Sequence, residues 1–414
     1  MESRSPSLAQ LNQVLLCGNQ RTPQLRVLDL LFNTCNLGSS GVFECSFGNQ
    51  TSQKGTIMLQ TTVGIIGIQG KYGQWLKTKM EKLGHDVIGS DLLTDLSNRQ
   101  VVEQAQVVVF SVPPRVTCDV IREVAPFSNE SQLWLDITSL KTGPMEAMLT
   151  SSANIIGLHP MCAPTDANWK GQTVVFCERN ERCTSNWKQW TTNLLLELEA
   201  QIKFASPEDH DVAVAFVQVL PHFNTLVTAA VLRKLNAEVA DTLQYTSPFY
   251  RIVFSLMGRI LAQNPDLYFD IQTLNPYTLQ VLNVLEDEAR DLREIIRTGD
   301  REKFMAKFQS SKRHFGEKAI KSGFDLFEVL NQTLVDWTPE YTLVLNSIQD
   351  RIGVLARCLV ILAKYGINLT ALRTEKRKKP GHCRFVIGID KKTDNPFVRE
   401  AVDRITEEIP TVSI

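Results

Sequence analysis

Short runs of apolar residues alternate with amphipathic stretches through the first half of the chain. Runs rich in β-branched side chains lie at residues 63–66, 87–88, 107–112, 133–137, 155–158 and 173–177, and a stretch of helical spacing lies at 75–83. Continuous apolar runs separated by helical segments are typical of a parallel sheet covered on both faces. The pattern predicts an α/β fold, a doubly wound sheet that covers residues 58–205.

Long helical periods replace this alternation after Pro207. Helices are predicted at residues 212–235, 249–262, 277–298 and 301–315. Pro221 lies inside the first of them and should kink or split it, because proline removes a backbone donor and crowds the preceding turn. The pattern predicts an all-α domain over residues 206–337, of the kind that often forms a dimer interface.

A third pattern begins near Tyr341. Strands are predicted at 342–346, 368–373, 383–389 and close to the C-terminus, with helices at 353–365 and 396–408. The order β-α-β-β-α-β is that of small ferredoxin-like α+β modules. Residues 338–414 are therefore expected to form a separate domain.

The composition indicates an ordinary globular protein that acts on small molecules. Hydrophobic residues make up 43% and charged residues 21% of 414, with a net charge of -1, so neither nucleic acid nor a membrane is expected as a partner. No apolar run approaches the roughly 20 residues that cross a bilayer, so no transmembrane helix is expected. The nine scattered cysteines contain no C-x-x-C pair, which predicts no metal site and a reducing, cytoplasmic location.

Residues 1–57 differ from the rest of the chain in being rich in Ser, Asn, Gln and Cys without a hydrophobic period. Two interpretations stay open. The segment is either a targeting sequence, which would imply import into an organelle, or an extension before a folded part that begins near Met58.

A glycine-rich turn follows the first predicted strand. Gly67, Gly70 and Gly73 would let the backbone approach a pyrophosphate at a helix N-terminus, although Ile68 stands where the usual fingerprint has its first glycine. Asp91 ends the second strand, where an acid binds the adenosine ribose, which favours NAD over NADP. A simple tight turn and a solvated loop acid are the alternatives.

Polar residues follow the next predicted strands. Ser111 ends one strand, Ser139 and Lys141 follow another, and His159 follows a third, just before Pro160. The carboxyl ends of strands in doubly wound sheets are where ligands bind. A histidine held at this edge is suited to act as a general base near neutral pH.

These motifs together resemble the prephenate dehydrogenase family. The resemblance rests on the glycine turn, S-V-P at 111–113, D-x-x-S-x-K at 136–141, G-L-H-P-M at 157–161 and the helical string at 247–268. It implies a Rossmann-type domain, a helical substrate and dimerisation domain, a homodimer, and NAD as cofactor. The implied reaction is oxidative decarboxylation of prephenate to 4-hydroxyphenylpyruvate, in the biosynthesis of tyrosine.

The resemblance also implies roles for individual residues. His159 matches the histidine that accepts the proton of the substrate hydroxyl, Ser139 a serine that positions that hydroxyl and the cofactor, and Arg259 an arginine that binds a carboxylate. Structural roles are the alternatives: a satisfied strand-end histidine, a helix N-cap and a surface ion pair. His210 and His222 either line the substrate cavity or belong to ordinary packing.

The C-terminal part resembles an ACT domain, in the strings at 350–356 and 365–370. Such domains bind amino acids, and Gly353, Val354 and Leu355 are the candidate contacts. Residues 373–376 read Arg-Thr-Glu-Lys where phenylalanine-sensing relatives have E-S-R-P. Tyrosine is therefore the first candidate effector, and a purely structural dimerisation module is the alternative.

Two other functions remain open. An arogenate dehydrogenase would differ only in the amine on the substrate side chain, and a catalytically silent amino-acid sensor would explain Ile68 in the glycine turn. Residues 1–57 are too short, and lack the charged helical pattern, for the chorismate mutase that enterobacterial relatives carry.

Overall fold

The computed structural model describes residues 60–164, 169–179, 182–336, 341–347, 352–376, 383–410 and 412–413. The chain divides into two compact units. The first contains Met1–Glu238 and Ser255–Gly299, and the second contains Val239–Phe254 and Asp300–Ile414. Both interpretations of residues 1–57 lie outside the described residues, and the three-domain division derived from the sequence stays a prediction.

The first unit is built on a seven-stranded sheet. Its strands are β1 (Thr62–Ile66), β2 (Asp86–Ser90), β3 (Val107–Phe110), β4 (Leu133–Asp136), β5 (Asn154–Pro160), β6 (Thr173–Glu178) and β7 (Gln201–Ala205). The spatial order is β2-β1-β3-β4-β5-β6-β7, so the chain reverses its direction of winding between β1 and β3. That reversal is the switch point at which doubly wound sheets bind ligands, and the predicted fold class is confirmed.

The sheet is buried on both faces. Val107 and Val109 of β3 join one hydrophobic cluster, while Val108 and Phe110 of the same strand join another. Five helices accompany these strands: α1 (Lys71–Lys82), α2 (Asn98–Gln104), α3 (Pro114–Val124), α4 (Thr142–Met148) and α5 (Ser185–Glu197). Alternate side chains of one strand thus serve two cores, which is why the strands read as continuous apolar runs.

The expectation of a purely parallel sheet was wrong at β6. Strands β1 to β5 pair in parallel, but β5 and β6 pair antiparallel, with His159 opposite Val175. Strand β7, which the sequence pattern did not predict, pairs parallel to β6. A short connection suffices for antiparallel pairing, whereas a parallel pair needs a long crossover.

Helices of the first unit follow the sheet. They are α6 (Pro207–Val214), α7 (Leu220–Lys234), the end of α9 (Pro248–Leu261), α10 (Pro265–Leu274) and α11 (Thr278–Thr298). A π-helical turn, Ala215–Val219, separates α6 from α7, and Pro221 stands in the first turn of α7. The predicted interruption at Pro221 is therefore confirmed, and it takes the form of a π-helical turn.

One part of this region corrects the expectation about membranes. Pro207–Lys234 is long and apolar enough to cross a bilayer, by length and composition only, and most of it is not buried within the single chain. Exposed apolar helices also occur where a second copy of a chain covers them. The helix is therefore weak evidence for a membrane span.

The second unit contains α8 (Val239–Gln244), the start of α9, and α12 (Arg301–Asp336), which is broken at Gly316. The predicted end of this helix at residue 315 coincides with that break. A four-stranded antiparallel sheet follows, formed by β8 (Tyr341–Ser347), β9 (Leu369–Lys376), β10 (Cys383–Ile389) and β11 (Val412–Ser413) in the order β11-β8-β10-β9.

Two helices, α13 (Val354–Lys364) and α14 (Pro396–Glu408), pack on this small sheet. Leu345 and Ile387 of the sheet share one buried cluster with Cys358 of α13 and Ala401 of α14. The order β-α-β-β-α-β and the antiparallel pairing agree with the ferredoxin-like topology predicted from the sequence.

Candidate active site

The glycine turn after β1 brings the start of α1 against the edge of the sheet. Gly67 has a φ of +90°, a conformation that glycine adopts without strain. A β-carbon on Gly73 would lie 2.2 Å from the carbonyl oxygen of Gly67, so α1 can pack this closely only because residue 73 is glycine. Gly70 is the N-cap of α1, and no side chain caps that end.

Ile68 fits this turn because of a second glycine. A β-carbon on Gly89 of β2 would lie 2.3 Å from Cδ1 of Ile68. The isoleucine side chain therefore lies over Gly89, and the turn keeps its shape without the usual first glycine of the fingerprint. Sequence analysis missed the role of Gly89, since only the structure pairs it with Ile68.

Asp91 lies beside the glycine turn. One of its carboxylate oxygens accepts a hydrogen bond from the backbone N–H of Gln69 at 2.9 Å, and the other accepts one from Leu92 at 2.8 Å. Ser111 closes the other side, because a β-carbon on Gly67 would lie 2.4 Å from its carbonyl oxygen. The predicted cofactor residues therefore surround one helix N-terminus.

This arrangement suits a dinucleotide. The uncapped first turn of α1 presents backbone N–H groups and the positive end of a helix dipole, which bind a pyrophosphate. Asp91 is fixed by two backbone donors, and its carboxylate can accept a hydrogen bond from a ribose hydroxyl. The same negative charge would repel a 2′-phosphate. The residues present therefore fit NAD.

Ser139 lies in the loop between β4 and α4, next to a buried ion pair. Nζ of Lys141 contacts the Asp136 carboxylate and donates to the carbonyl of Leu158 at 2.8 Å. Both charged side chains are fully buried, so each supplies the compensation that the other needs. The pair joins the end of β4 to the strand that carries His159 and fixes the loop on which Ser139 stands.

His159 belongs to a chain of three buried side chains. Its Nδ1 lies 2.9 Å from Nε2 of His210, and Nδ1 of His210 lies 2.8 Å from Oδ1 of Asp211. Asp211 also accepts the backbone N–H groups of Lys141 at 2.8 Å and Thr142 at 2.9 Å. It therefore caps α4 as well as binding His210.

The protonation of this chain follows from its acceptor end. An ionised carboxylate only accepts, so Nδ1 of His210 donates to Asp211, and Nε2 of the neutral His210 is left as an acceptor. Nδ1 of His159 must then donate to His210. The lone pair of His159 is consequently on Nε2, which is the nitrogen that a general base would use.

The surroundings keep both imidazoles neutral. Burial, the neighbouring His210 and the Lys141 ammonium hold the pKa of His159 well below its ordinary value. Burial also lowers the pKa of His210, against the opposing effect of Asp211. For Asp211, burial alone would raise the pKa, but hydrogen bonds from His210 and Thr142 outweigh it and lower the pKa. A neutral His159 can accept a proton.

A second group of polar side chains leads away from His159. Nε2 of Gln218, on the π-helical turn, lies 3.5 Å from Nε2 of His159. Gln272 of α10 donates to the carbonyl of Val219 at 2.9 Å. Each glutamine has a buried Oε1 without a protein donor among the described residues, so both present acceptors that a substrate could satisfy.

His222, Tyr268 and Arg259 form the outer part of this group. The rings of His222 and Tyr268 meet edge to face at 4.9 Å between centroids. Burial and the nearby Arg259 guanidinium lower the pKa of His222. Arg259 itself is exposed, so the guanidinium is accessible to a carboxylate in solution.

Within the first unit, the structure places His159 in contact with His210, and His222 in ring contact with Tyr268 and near Arg259. His210, for which sequence analysis left two roles open, contacts His159 directly. Asp211, Gln218 and Gln272 were missed; Asp211 is adjacent to His210 in the sequence, but its contacts with residues 141 and 142 depend on tertiary packing. No group of three or more His, Cys, Asp or Glu is arranged to hold a metal within the described residues.

The candidate regulatory residues lie in the second unit. Gly353 is the N-cap of α13 with a φ of +88°, and no side chain caps this helix. Val354 is buried at its start, and Leu355 packs against the core of the small sheet. This part of the chain offers uncapped backbone N–H groups, but their ligand stays a prediction.

Comparison with protein families assigns two consecutive regions of the chain. Residues 88–204 match the nucleotide-binding domain of prephenate dehydrogenase, and residues 206–310 match the dimerization domain of the same family. The two domains occur in family order and together span more than half of the chain. The chain belongs to the prephenate dehydrogenase family. The predicted resemblance is thus confirmed.

Known proteins of this family have similar sequences. A probable arogenate/prephenate dehydrogenase of Methanocaldococcus jannaschii is 30% identical over 280 residues, which are 64% of this chain and 63% of the relative. The T-protein of Enterobacter agglomerans is 28% identical over 62% of this chain and 68% of its own length. The chain thus spans a little under two thirds of the archaeal relative.

A solved structure shares the fold. The prephenate dehydrogenase of Aquifex aeolicus, in complex with hydroxyphenyl propionate and NAD+, superposes with a TM-score of 0.50 at 16% identity. The match covers 62% of this chain and 99% of that protein. At this identity the likeness shows that the prephenate dehydrogenase fold is shared.

Proposed function

We propose that this protein catalyses the NAD-dependent oxidative decarboxylation of prephenate to 4-hydroxyphenylpyruvate. The observation that carries the proposal is the chain Asp211–His210–His159. It fixes a neutral imidazole with its lone pair on Nε2, in the same unit as an uncapped helix N-terminus that fits a dinucleotide. A base for a hydroxyl proton and a site for a hydride acceptor are the two requirements of the reaction.

Each side chain has a role in the proposed reaction. NAD, when bound, supplies the acceptor of the hydride. Nε2 of His159 accepts the proton of the ring hydroxyl as the C–H bond breaks, and it returns that proton to the oxygen when the ring becomes aromatic. Loss of the ring carboxylate as carbon dioxide provides the electron pair for aromatisation, so atoms and charge balance without a net proton.

The substrate carboxylates and hydroxyl need further partners. Arg259 is proposed to bind a carboxylate, because its guanidinium is exposed beside His222 and Tyr268. Ser139 is proposed to orient the hydroxyl from its loop after β4. Gln218, which points its amide N–H toward Nε2 of His159, would orient the imidazole until the substrate hydroxyl replaces that contact.

Arogenate is the second candidate substrate. The buried Oε1 atoms of Gln218 and Gln272 are acceptors, and the ammonium group of arogenate is a donor, whereas the keto group of prephenate only accepts. This observation supports arogenate as the alternative to prephenate. The silent-sensor hypothesis loses its motivation, because Gly89 accommodates Ile68.

The deciding experiment is NADH formation by the purified protein with NAD and either prephenate or arogenate. Faster turnover of prephenate supports the first proposal, and faster turnover of arogenate would replace it by the second. If neither substrate is turned over by folded protein that binds NAD, the enzymatic proposal is wrong.

Tyrosine is the proposed effector of the ACT-like domain, with Gly353, Val354 and Leu355 at its site. The uncapped start of α13 supports a carboxylate site there. Added tyrosine should slow turnover, and Gly353→Val should abolish the inhibition without changing turnover in its absence. Turnover that tyrosine does not affect would favour the structural alternative.

The protein is further proposed to be a cytoplasmic homodimer, formed through the region that matches the dimerization domain. The cysteines that are free among the described residues, together with the bacterial and archaeal relatives, support a cytoplasmic location.

A further inference from the structure

The segment that follows His159 lies against the nucleotide-binding helix. The hydroxyl of Tyr72, in the first turn of α1, donates a hydrogen bond to the backbone carbonyl of Cys162. Farther along, the ring of Trp169 stacks on Trp75 of the same helix, with centroids 4.8 Å apart. Residues 165–168 between these contacts lie outside the described part of the chain.

The Tyr72 contact joins the two halves of the candidate site by a short path. Tyr72 stands directly between Gly70 and Gly73, in the turn that fits the pyrophosphate. Cys162 is three residues after His159, the base of the proposed reaction. A movement of the segment after His159 relative to α1 would therefore break this hydrogen bond.

The hydroxyl and the ring of Tyr72 have separate contacts. The ring meets Trp75 edge to face, with centroids 6.2 Å apart, and belongs to the packing around α1. The hydroxyl donates to the carbonyl oxygen of Cys162 and lies 3.9 Å from its Sγ. Burial and the neighbouring Cys162 raise the pKa of Tyr72, so the hydroxyl keeps its proton and remains a donor at neutral pH.

We propose that Tyr72 is a positioning residue, whose hydroxyl fixes the segment after His159 on the cofactor-binding helix and so sets the base relative to the cofactor. The inference rests on the proposed function for its catalytic consequence. The structural part of the inference, that the hydroxyl restrains residues 161–164, is independent of the proposed function. Small displacements of a base or a hydride acceptor slow a reaction strongly, since catalysis requires the reacting groups in near-attack geometry.

The test compares Tyr72→Phe with Tyr250→Phe. Phenylalanine at 72 keeps the ring and removes the hydroxyl. Tyr250 is the matched control, because its hydroxyl donates at 2.8 Å to Thr242 in the second unit, so its loss removes the same kind of bond elsewhere. Amide hydrogen exchange, calorimetric titration with NAD and steady-state kinetics are measured on both variants and the unaltered chain.

In Tyr72→Phe, amides of residues 161–164 should exchange at least about threefold faster without any ligand, while those of the glycine turn stay unchanged. The maximal rate kcat should fall about three- to tenfold, with the dissociation constant of NAD and the KM of the substrate within twofold. Tyr250→Phe should change neither exchange at 161–164 nor kcat.

Two outcomes would overturn the inference. Unchanged exchange at residues 161–164 would refute the restraint, even if the protein proved to have no dehydrogenase activity. Faster exchange with an unchanged kcat, in an enzyme that does turn over its substrate, would refute the positioning role. A loss of kcat that Tyr250→Phe shares would assign the effect to general stability.

Discussion

His159 is a buried imidazole whose two ring nitrogens have different neighbours. Nδ1 faces His210 and Nε2 faces Gln218, so replacement by asparagine should remove the base while keeping a polar side chain in the space. We expect His159→Asn to lower kcat about 10²- to 10⁴-fold, the usual contribution of a general base. The measurement is NADH formation with saturating substrate.

His314 supplies the control for that variant. It is an exposed histidine of the second unit, and His314→Asn should keep kcat within twofold. A His159→Asn enzyme that retains more than a tenth of the normal kcat would contradict the assignment of His159 as the base.

The dependence of kcat/KM on pH, on the acid side of neutrality, is a second test of His159. Because the pKa of His159 is held well below its ordinary value, the imidazole stays neutral, and therefore basic, as the pH falls through about 6.5. We expect kcat/KM to stay level through this value and to decline only at lower pH. A decline centred at 6.5 or above would mean that His159 titrates like an exposed histidine.

At the scale of elements, Asp211 joins α6 to the start of α4. It accepts from His210 and from the backbone N–H groups of residues 141 and 142. Asp211→Asn should therefore cost about 2–4 kcal/mol of unfolding free energy, measured by urea denaturation at neutral pH. Glu208→Gln on the same helix, which loses only an exposed ion pair with Arg179, should cost less than about 1 kcal/mol.

The stability lost in Asp211→Asn should also depend on pH, in a direction that follows from the pKa of Asp211. The pKa of Asp211 is lowered in the folded protein, so the stability it contributes is complete above the usual aspartate pKa of about 3.9 and disappears below it. The difference between the parent chain and Asp211→Asn should therefore shrink as the pH falls below about 4. A difference that persists there would contradict an electrostatic origin.

The glycine turn gives a second prediction at this scale. A β-carbon on Gly73 would lie 2.2 Å from the Gly67 carbonyl, so Gly73→Ala must push α1 away from the turn. NAD affinity measured by calorimetry should fall about 10- to 100-fold, the effect of roughly 1–3 kcal/mol of overpacking. Gly323→Ala, where no atom lies within 4 Å, should leave NAD affinity unchanged.

The sequence predicts those parts of the fold that depend on local pattern. Buried runs locate the strands, and the motif around His159 places that residue at the carboxyl edge. The antiparallel pairing of β6 was not predictable, because register and direction depend on the partner strand. The contact between His159 and His210 joins residues far apart in the chain, and it exists only once α6 packs beside the sheet.

At the scale of the whole molecule, α7 is a helix whose apolar side chains are left uncovered by a single chain. None of its residues is buried, although Val227 and Val231 are 43% and 47% exposed and lie one turn apart. Helix α7 lies within the matched dimerization domain. Apolar side chains in this position are expected to pack against a second copy, which also accounts for a helix apolar enough to cross a bilayer.

The double substitution of Val227 and Val231 by glutamate tests this account. Two carboxylates in an apolar interface would be desolvated without partners, at a cost that exceeds the gain from association. Light scattering in detergent-free buffer should show a dimer for the parent chain and a monomer for the variant. Val116→Glu, at a similarly exposed valine on α3, should remain dimeric.

If the double variant stays dimeric, the interface lies elsewhere. If the parent chain stays in solution only with detergent, a membrane span becomes the better explanation of the apolar character of α7.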